Sequence, residues 1–128
     1  GWWNGFGGKV EPNEDVLSAA IREVREEANL EVSDLIKFAV VRFNFEDNPI
    51  PWEVHFFKTE KYSGEPLETE EMRPQWFAKN SIPFSEMWDD DSYWFPLFLA
   101  GDNFKTEFWL DKGQKVVRHN IEKVECIV

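Results

Sequence analysis

From Val16 to Leu30 the apolar residues Leu17, Ala20, Ile21, Val24 and Ala28 recur every three or four positions. That spacing gathers side chains onto one stripe of an α-helix. Asn13 is a candidate cap just upstream, and Glu14 and Asp15 carry the charge that suits a first helical turn. The period then changes. "KFAVVRFNF" (37–45) and "WEVHFFKTEKY" (52–62) are rich in aromatic and β-branched residues and are separated by the breaker-rich "EDNPIP". They predict two paired antiparallel strands. The opening "GWWNGFGGKV" reads as a loop entering a short strand, "GEPLETEEMRP" (64–74) as a long polar loop, and "QWFAK" as a short strand. "PFSEMWDDDSYWFPLFLAG" (83–101) predicts a helix ending at Gly101, with Pro96 near its start or at a kink. "FKTEFWL" and "KVVRHNIEKV" flank "DKGQ", a hairpin turn whose glycine is placed for positive φ. The pattern as a whole predicts an α+β fold with a mixed, mainly antiparallel sheet and two main helices.

Composition narrows the class. The 128 residues make a single domain, 1–128, and the seven Trp and twelve Phe call for a packed core rather than a disordered chain. A formal charge of −11 argues against a nucleic-acid polymer or an anionic membrane as partner, since no basic surplus exists to meet phosphates. A polyanionic small molecule stays open if metal ions bring the positive charge. No apolar run approaches the roughly 20 residues of a membrane span. Cys126 is the one cysteine and has no internal disulfide partner, so the expected compartment is reducing: the cytoplasm, with nucleus or mitochondrion also open.

Charge also changes the reading of the first helix. On a wheel of about 100° per residue the apolar positions fill one stripe, and Glu23, Glu26 and Glu27 lie to one side of it. Like charges three and four residues apart repel by a few tenths of a kcal/mol per pair. Two readings follow. Either Arg22, Arg25 and water neutralise a solvated face, or the carboxylates are gathered as hard oxygen ligands for a divalent cation such as Mg²⁺.

Spacing favours the second. Gly8, five residues, Glu14, seven residues and "REVREEANL" (22–30) give G-x5-E-x7-R-E-U-x-E-E-x-x-U, where U is apolar. This resembles the Nudix box, the signature of hydrolases of nucleoside diphosphates linked to another moiety, and chance should produce it on the order of once in ten thousand such chains. The resemblance implies a Nudix-type α/β/α sandwich and Mg²⁺ as cofactor. It implies that Glu23, Glu26 and Glu27 hold the metal, with the Gly7 carbonyl and, from outside the box, Glu71. It makes Glu27, with Glu26, the activator of the attacking water, Arg22 the orienting cation and Glu14 the support of the loop–helix geometry. Gly7 and Gly8 would allow close backbone approach, and Lys9 is a candidate phosphate contact. One box position departs, Asn29 standing where the family has Gly; Asn is the next best residue for a left-handed helix cap.

The resemblance narrows further. "WNGFGGKV" (3–10), "EMRP" with Trp76 and Phe77, and "IPF--MW-DDSYWFP" (82–96) are similar to the animal oxidised purine nucleoside triphosphate diphosphatases, the MutT homologues that act on 8-oxo-dGTP. Trp88 offers a ring for purine stacking, worth roughly 1–3 kcal/mol. Asp90 and Asp91 offer a donor and acceptors to a purine edge if one carboxyl keeps its proton. The resemblance adds Asn4 and Phe6 near the purine and Phe43 as a pocket wall. Asp89 replaces that family's usual Pro and adds a charge beside the pocket. The plainer reading of Asp89 to Asp91 is a helix cap. His55 and His119 lack partners at ligand spacing and read as structural.

The implied activity is hydrolysis of 8-oxo-dGTP and 2-hydroxy-dATP to monophosphate and pyrophosphate, sanitising the nucleotide pool. Two alternatives stay open: a Nudix hydrolase of a methylated purine nucleotide, a dinucleotide or a cap, and a catalytically impaired nucleotide-binding module. The family carries a strand segment before "WNGFGG", so the chain reads as N-terminally short. The intact family sets the expectation of a monomer, and a bared sheet edge would favour a dimer.

Overall fold

The computed structural model describes residues 2–8, 10–70 and 72–127. The elements run α1 (Val16–Ala28), β1 (Glu31–Ser33), β2 (Ile36–Phe45), β3 (Asn48–Lys58), β4 (Lys61–Ser63), a 3-10 turn (Phe84–Glu86), α2 (Asp91–Leu99), β5 (Asn103–Leu110) and β6 (Val116–Val124). They belong to two compact units, one of Gly1–Asn4, Lys37–Phe56 and Ile82–Val128, the other of Gly5–Ile36 and Phe57–Ser81.

The first unit carries a four-stranded sheet in the order β3-β2-β5-β6. β2 and β5 are parallel, with Ala39 opposite Phe104 and Phe43 opposite Phe108; β5 and β6 are antiparallel. The two-residue link Glu46–Asp47 makes β2 and β3 an antiparallel hairpin. This is the mixed, mainly antiparallel sheet with two helices that the pattern predicts. On β5 the alternation is clean: Phe104, Thr106, Phe108 and Leu110 are buried. Phe38, Ala39 and Val41 of β2 and Trp94 of α2 complete the core. Trp94 lies 6.2 Å from Phe104 and 4.7 Å from Phe56, ring to ring.

The second unit is built on α1. Asp15, not Asn13, caps it: Asp15 Oδ1 accepts from the Ser18 N–H at 2.7 Å, and Asn13 takes positive φ in the preceding turn. Those hydrogen bonds from Ser18 hold the Asp15 carboxyl below its ordinary range. Asn29 ends the helix at φ 61°, its N–H donating to the Arg25 carbonyl at 3.0 Å, so the left-handed cap expected there is present. β1 and β4 form a separate antiparallel pair, Val32 opposite Tyr62.

Several local expectations change. Pro49 and Pro51 lie inside β3 rather than in a loop. β3 is an edge strand, where a missing N–H costs no ladder partner. Residues 75–79 form no strand. Trp3 makes an isolated bridge to Met87, and among the described residues no strand lies between it and α1. In the β5–β6 turn the positive φ falls on Gln114, not Gly113. Pro96 sits in the middle of α2, and Gly101 follows the helix at φ 84°. Leu17, on the expected apolar stripe, is 43% exposed.

Candidate active site

The carboxylates of α1 are held by one cation and one glycine-bearing loop, all within the second unit. Arg22 meets Glu14 with two donors, Nε to Oε2 at 2.8 Å and NH2 to Oε1 at 3.1 Å. Its NH1 also reaches Glu23 Oε1 at 2.9 Å and Glu26 Oε2 at 3.1 Å. Glu14 Oε1 accepts from the Glu11 N–H at 3.0 Å. The Arg22 hydrogen bond is the main reason the Glu14 carboxyl stays below its ordinary range. Such a fork fixes planar groups in a way a lysine cannot.

Glu27 differs from its neighbours. It lies at the border of the apolar stripe and is only 5% exposed, where the charge pattern alone would put it on the wet face. Its Oε1 accepts from the Gly7 N–H at 3.3 Å, and its own carbonyl accepts from Thr69 Oγ1 at 2.9 Å. Gly8 lies over Glu23 so closely that a β-carbon there would stand 2.5 Å from Glu23 Oε1. Around Gly7 a β-carbon would meet nothing within 4 Å, so close approach explains Gly8 and not Gly7. Among the described residues no three acidic, His or Cys side chains converge on one centre. Arg22 stands between Glu23 and Glu26. The oxygen donors, and the glycine that leaves room beside one of them, nonetheless fit a hard divalent cation. Lys9 and Glu71 fall outside the described residues.

The second group of candidates lies in the first unit, apart from Phe6, which belongs to the second. Trp88 is 37% exposed, and its ring stacks on Trp2 at 6.3 Å and 23°. Asp90 and Asp91 are buried at the start of α2. Asp90 occupies the cap position without capping; its Oδ2 accepts instead from Trp94 Nε1 at 3.1 Å. Asp91 Oδ2 is buried with no hydrogen-bond partner among the described residues. Burial, then the charge of Asp90, pushes the Asp91 carboxyl up to about 8. Burial raises Asp90 as well. Two adjacent buried carboxyls that cannot both ionise are left with a proton to donate. Asp89 turns away: its Oδ2 accepts from the Val116 N–H at 2.9 Å. Phe43 stacks on Phe108 at 5.9 Å, while Asn4 and Phe6 are exposed loop residues.

The sequence profile of the NUDIX domain matches residues 1–98. The chain belongs to the NUDIX family. It is 45% identical over 125 residues to a Danio rerio protein named oxidized purine nucleoside triphosphate hydrolase, covering 98% of this chain and 80% of that one. It is 42% identical, with the same coverage, to the Mus musculus protein of that name. A solved structure titled as the mutator MutT protein from Bacillus halodurans superposes with a TM-score of 0.87, covering 95% of this chain and 83% of that one. At 24% identity that likeness speaks for the fold. NUDIX hydrolases work with a divalent cation, which suits the oxygen donors of α1. Among the described residues no helix is long and apolar enough to cross a membrane.

Three further contributors lie outside the expected set: Trp94, Trp2 and Thr69. Trp94 follows Asp90 by one helical turn, a spacing that could have been read from the sequence. Trp2 and Thr69 carried no such signal.

Proposed function

We propose that this chain is a Mg²⁺-dependent hydrolase of oxidised purine nucleoside triphosphates, 8-oxo-dGTP and 2-hydroxy-dATP, releasing monophosphate and pyrophosphate and so sanitising the nucleotide pool. The observation that carries it is the buried Asp90–Asp91 pair beside Trp88, in a chain 42–45% identical to proteins named for that activity. A carboxyl that keeps its proton near neutrality can donate to a purine edge while its neighbour accepts. That versatility suits purines whose edges differ in donors and acceptors.

In this reading Glu23, Glu26, Glu27, Glu71 and the Gly7 carbonyl hold the metal. Mg²⁺, when bound, supplies positive charge against the phosphates. Glu27 takes the proton of the attacking water, assisted by Glu26. Arg22 keeps the helix carboxylates oriented, with Glu14 bracing it, and Lys9 meets phosphate. Trp88 stacks the base, with Asn4, Phe6 and Phe43 around it. Residues 1–128 act as one catalytic domain in the cytoplasm, on a small nucleotide rather than a nucleic-acid polymer or a membrane.

The test is pyrophosphate release from 8-oxo-dGTP, 2-hydroxy-dATP and dGTP with Mg²⁺, for wild type and Glu27→Gln. The oxidised nucleotides should be preferred, and the variant should lose about a hundredfold or more in kcat. Absence of turnover on every triphosphate would end this reading, and tight binding without turnover would indicate a binding module.

A further inference from the structure

The base-site loop is tied to the far end of the sheet by one side chain. Strands β5 and β6 meet with a register shift next to Trp109 and Leu110, after which Leu110 faces Val116. At that irregularity the Leu110 carbonyl accepts from Glu46, and the Val116 N–H donates to Asp89 Oδ2 at 2.9 Å. The turn is braced by its own hydrogen bonds. Asp111 Oδ1 accepts from the Gly113 and Lys115 N–H groups at 2.9 and 3.0 Å. Between this turn and the loop lies a cavity of about 130 Å³ lined by Trp2, Trp88, Asp89, Gly113 and Lys115 among others. The Asp89 hydrogen bond spans the junction beside this open cleft. Lys115 Nζ stands 3.9 Å from Asp89 Oδ1 but is largely exposed, so that ion pair adds little.

We propose that Asp89 is a positioning residue, a latch that fixes Trp88 and the Asp90–Asp91 pair against the β5–β6 turn. It holds the loop by a side-chain acceptor for the first N–H of β6. Its charge has a second effect, since Asp89 is among the causes that raise the Asp90 carboxyl. The latch thus sets where the base contacts stand. This inference rests on the reading of Trp88, Asp90 and Asp91 as base contacts.

Two substitutions separate geometry from charge. Asp89→Ala removes the acceptor; Asp89→Asn keeps an acceptor oxygen and loses the charge. Asp89→Ala should speed amide exchange at Val116 and raise KM for 8-oxo-dGTP about tenfold, with kcat within about twofold. Asp89→Asn should restore Val116 protection and KM. Unchanged Val116 exchange and KM in Asp89→Ala would overturn the latch, as would failure of Asp89→Asn to restore them. If the wild type turns over none of the nucleotides, the proposed function falls, while Val116 exchange, measured without substrate, still decides the latch.

Discussion

Gly8 and Glu23 occupy adjoining space: a β-carbon on Gly8 would lie 2.5 Å from Glu23 Oε1 and 2.6 Å from its Cδ. Gly8 is not among the glycines with positive φ, so backbone conformation is not what selects glycine here. The carboxylate selects it. The atoms in the way belong to the end of a flexible side chain, which can move at little cost to the fold but not without leaving its place on the site.

Gly8→Ala should accordingly separate stability from activity. Unfolding free energy should change by less than about 1 kcal/mol, while kcat/KM falls about 10- to 100-fold if Glu23 is a metal ligand, because its displacement misplaces the reaction. Urea denaturation and steady-state kinetics with a Mg²⁺ titration check it. A variant with unaltered kinetics would show that Glu23 has room to spare.

The Asp90–Asp91 pair predicts that the wild type and a neutral mimic diverge as pH rises. Asp91 titrates near 3.9 when unfolded and near 8 when folded. The protonated form is thus favoured by the fold. Its stabilisation is complete below about pH 4 and is lost as pH rises to about 8. Relative to Asp91→Asn, whose amide cannot ionise, the wild type should lose stability across that window. KM for 8-oxo-dGTP should rise as pH passes about 8 in the wild type and flatten in the variant, which keeps a donor. Urea midpoints and KM between pH 5 and pH 9 settle both, and parallel curves for the two proteins would refute the assignment.

What could be read from the chain follows how local each signal is. Helix α1, its Asn29 cap and the spacing from Gly8 to Glu27 are local patterns, and the structure reproduces their geometry. The prolines at 49 and 51 misled because edge position is a property of the whole sheet. Leu17 and Glu27 exchanged the expected environments for a similar reason: which side of a helix is covered depends on what folds over it. The buried state of Asp90 and Asp91, and the tie from Asp89 to Val116, join residues distant in sequence or depend on surrounding aromatics. No periodicity encodes them.

Asn29 holds φ 61° with a side chain where the box has glycine. A left-handed residue is least strained as glycine. Asn29→Gly should therefore raise stability by about 0.5 kcal/mol, and Asn29→Ala should lower it by about 1 kcal/mol. Because the residue lies beyond the carboxylates, kcat/KM should stay within about twofold of wild type in both. Thermal melts in the order Gly, Asn, Ala would support the cap reading; any other order would reject it.

Thr69 is the last link between the acidic helix and the polar loop. Its hydroxyl donates to the Glu27 carbonyl at 2.9 Å and accepts from the Met72 N–H at 3.2 Å, and its own N–H donates to the Met72 carbonyl at 2.9 Å. The Leu67 N–H takes the next helix carbonyl, that of Ala28, at 3.0 Å. These bonds satisfy carbonyls that the end of a helix leaves over. Thr69→Val keeps the shape and removes the hydroxyl, so it should cost about 1 kcal/mol of stability. Residues 70 and 71 lie between the two bonded positions, so the Mg²⁺ concentration for half-maximal activity should rise several-fold if Glu71 is a ligand. Thr69→Ser, which restores the hydroxyl, should recover both. Denaturation midpoints alongside Mg²⁺ titrations distinguish the outcomes: a Ser variant that behaves like Val would remove the hydroxyl from the argument, leaving methyl packing as the role of Thr69.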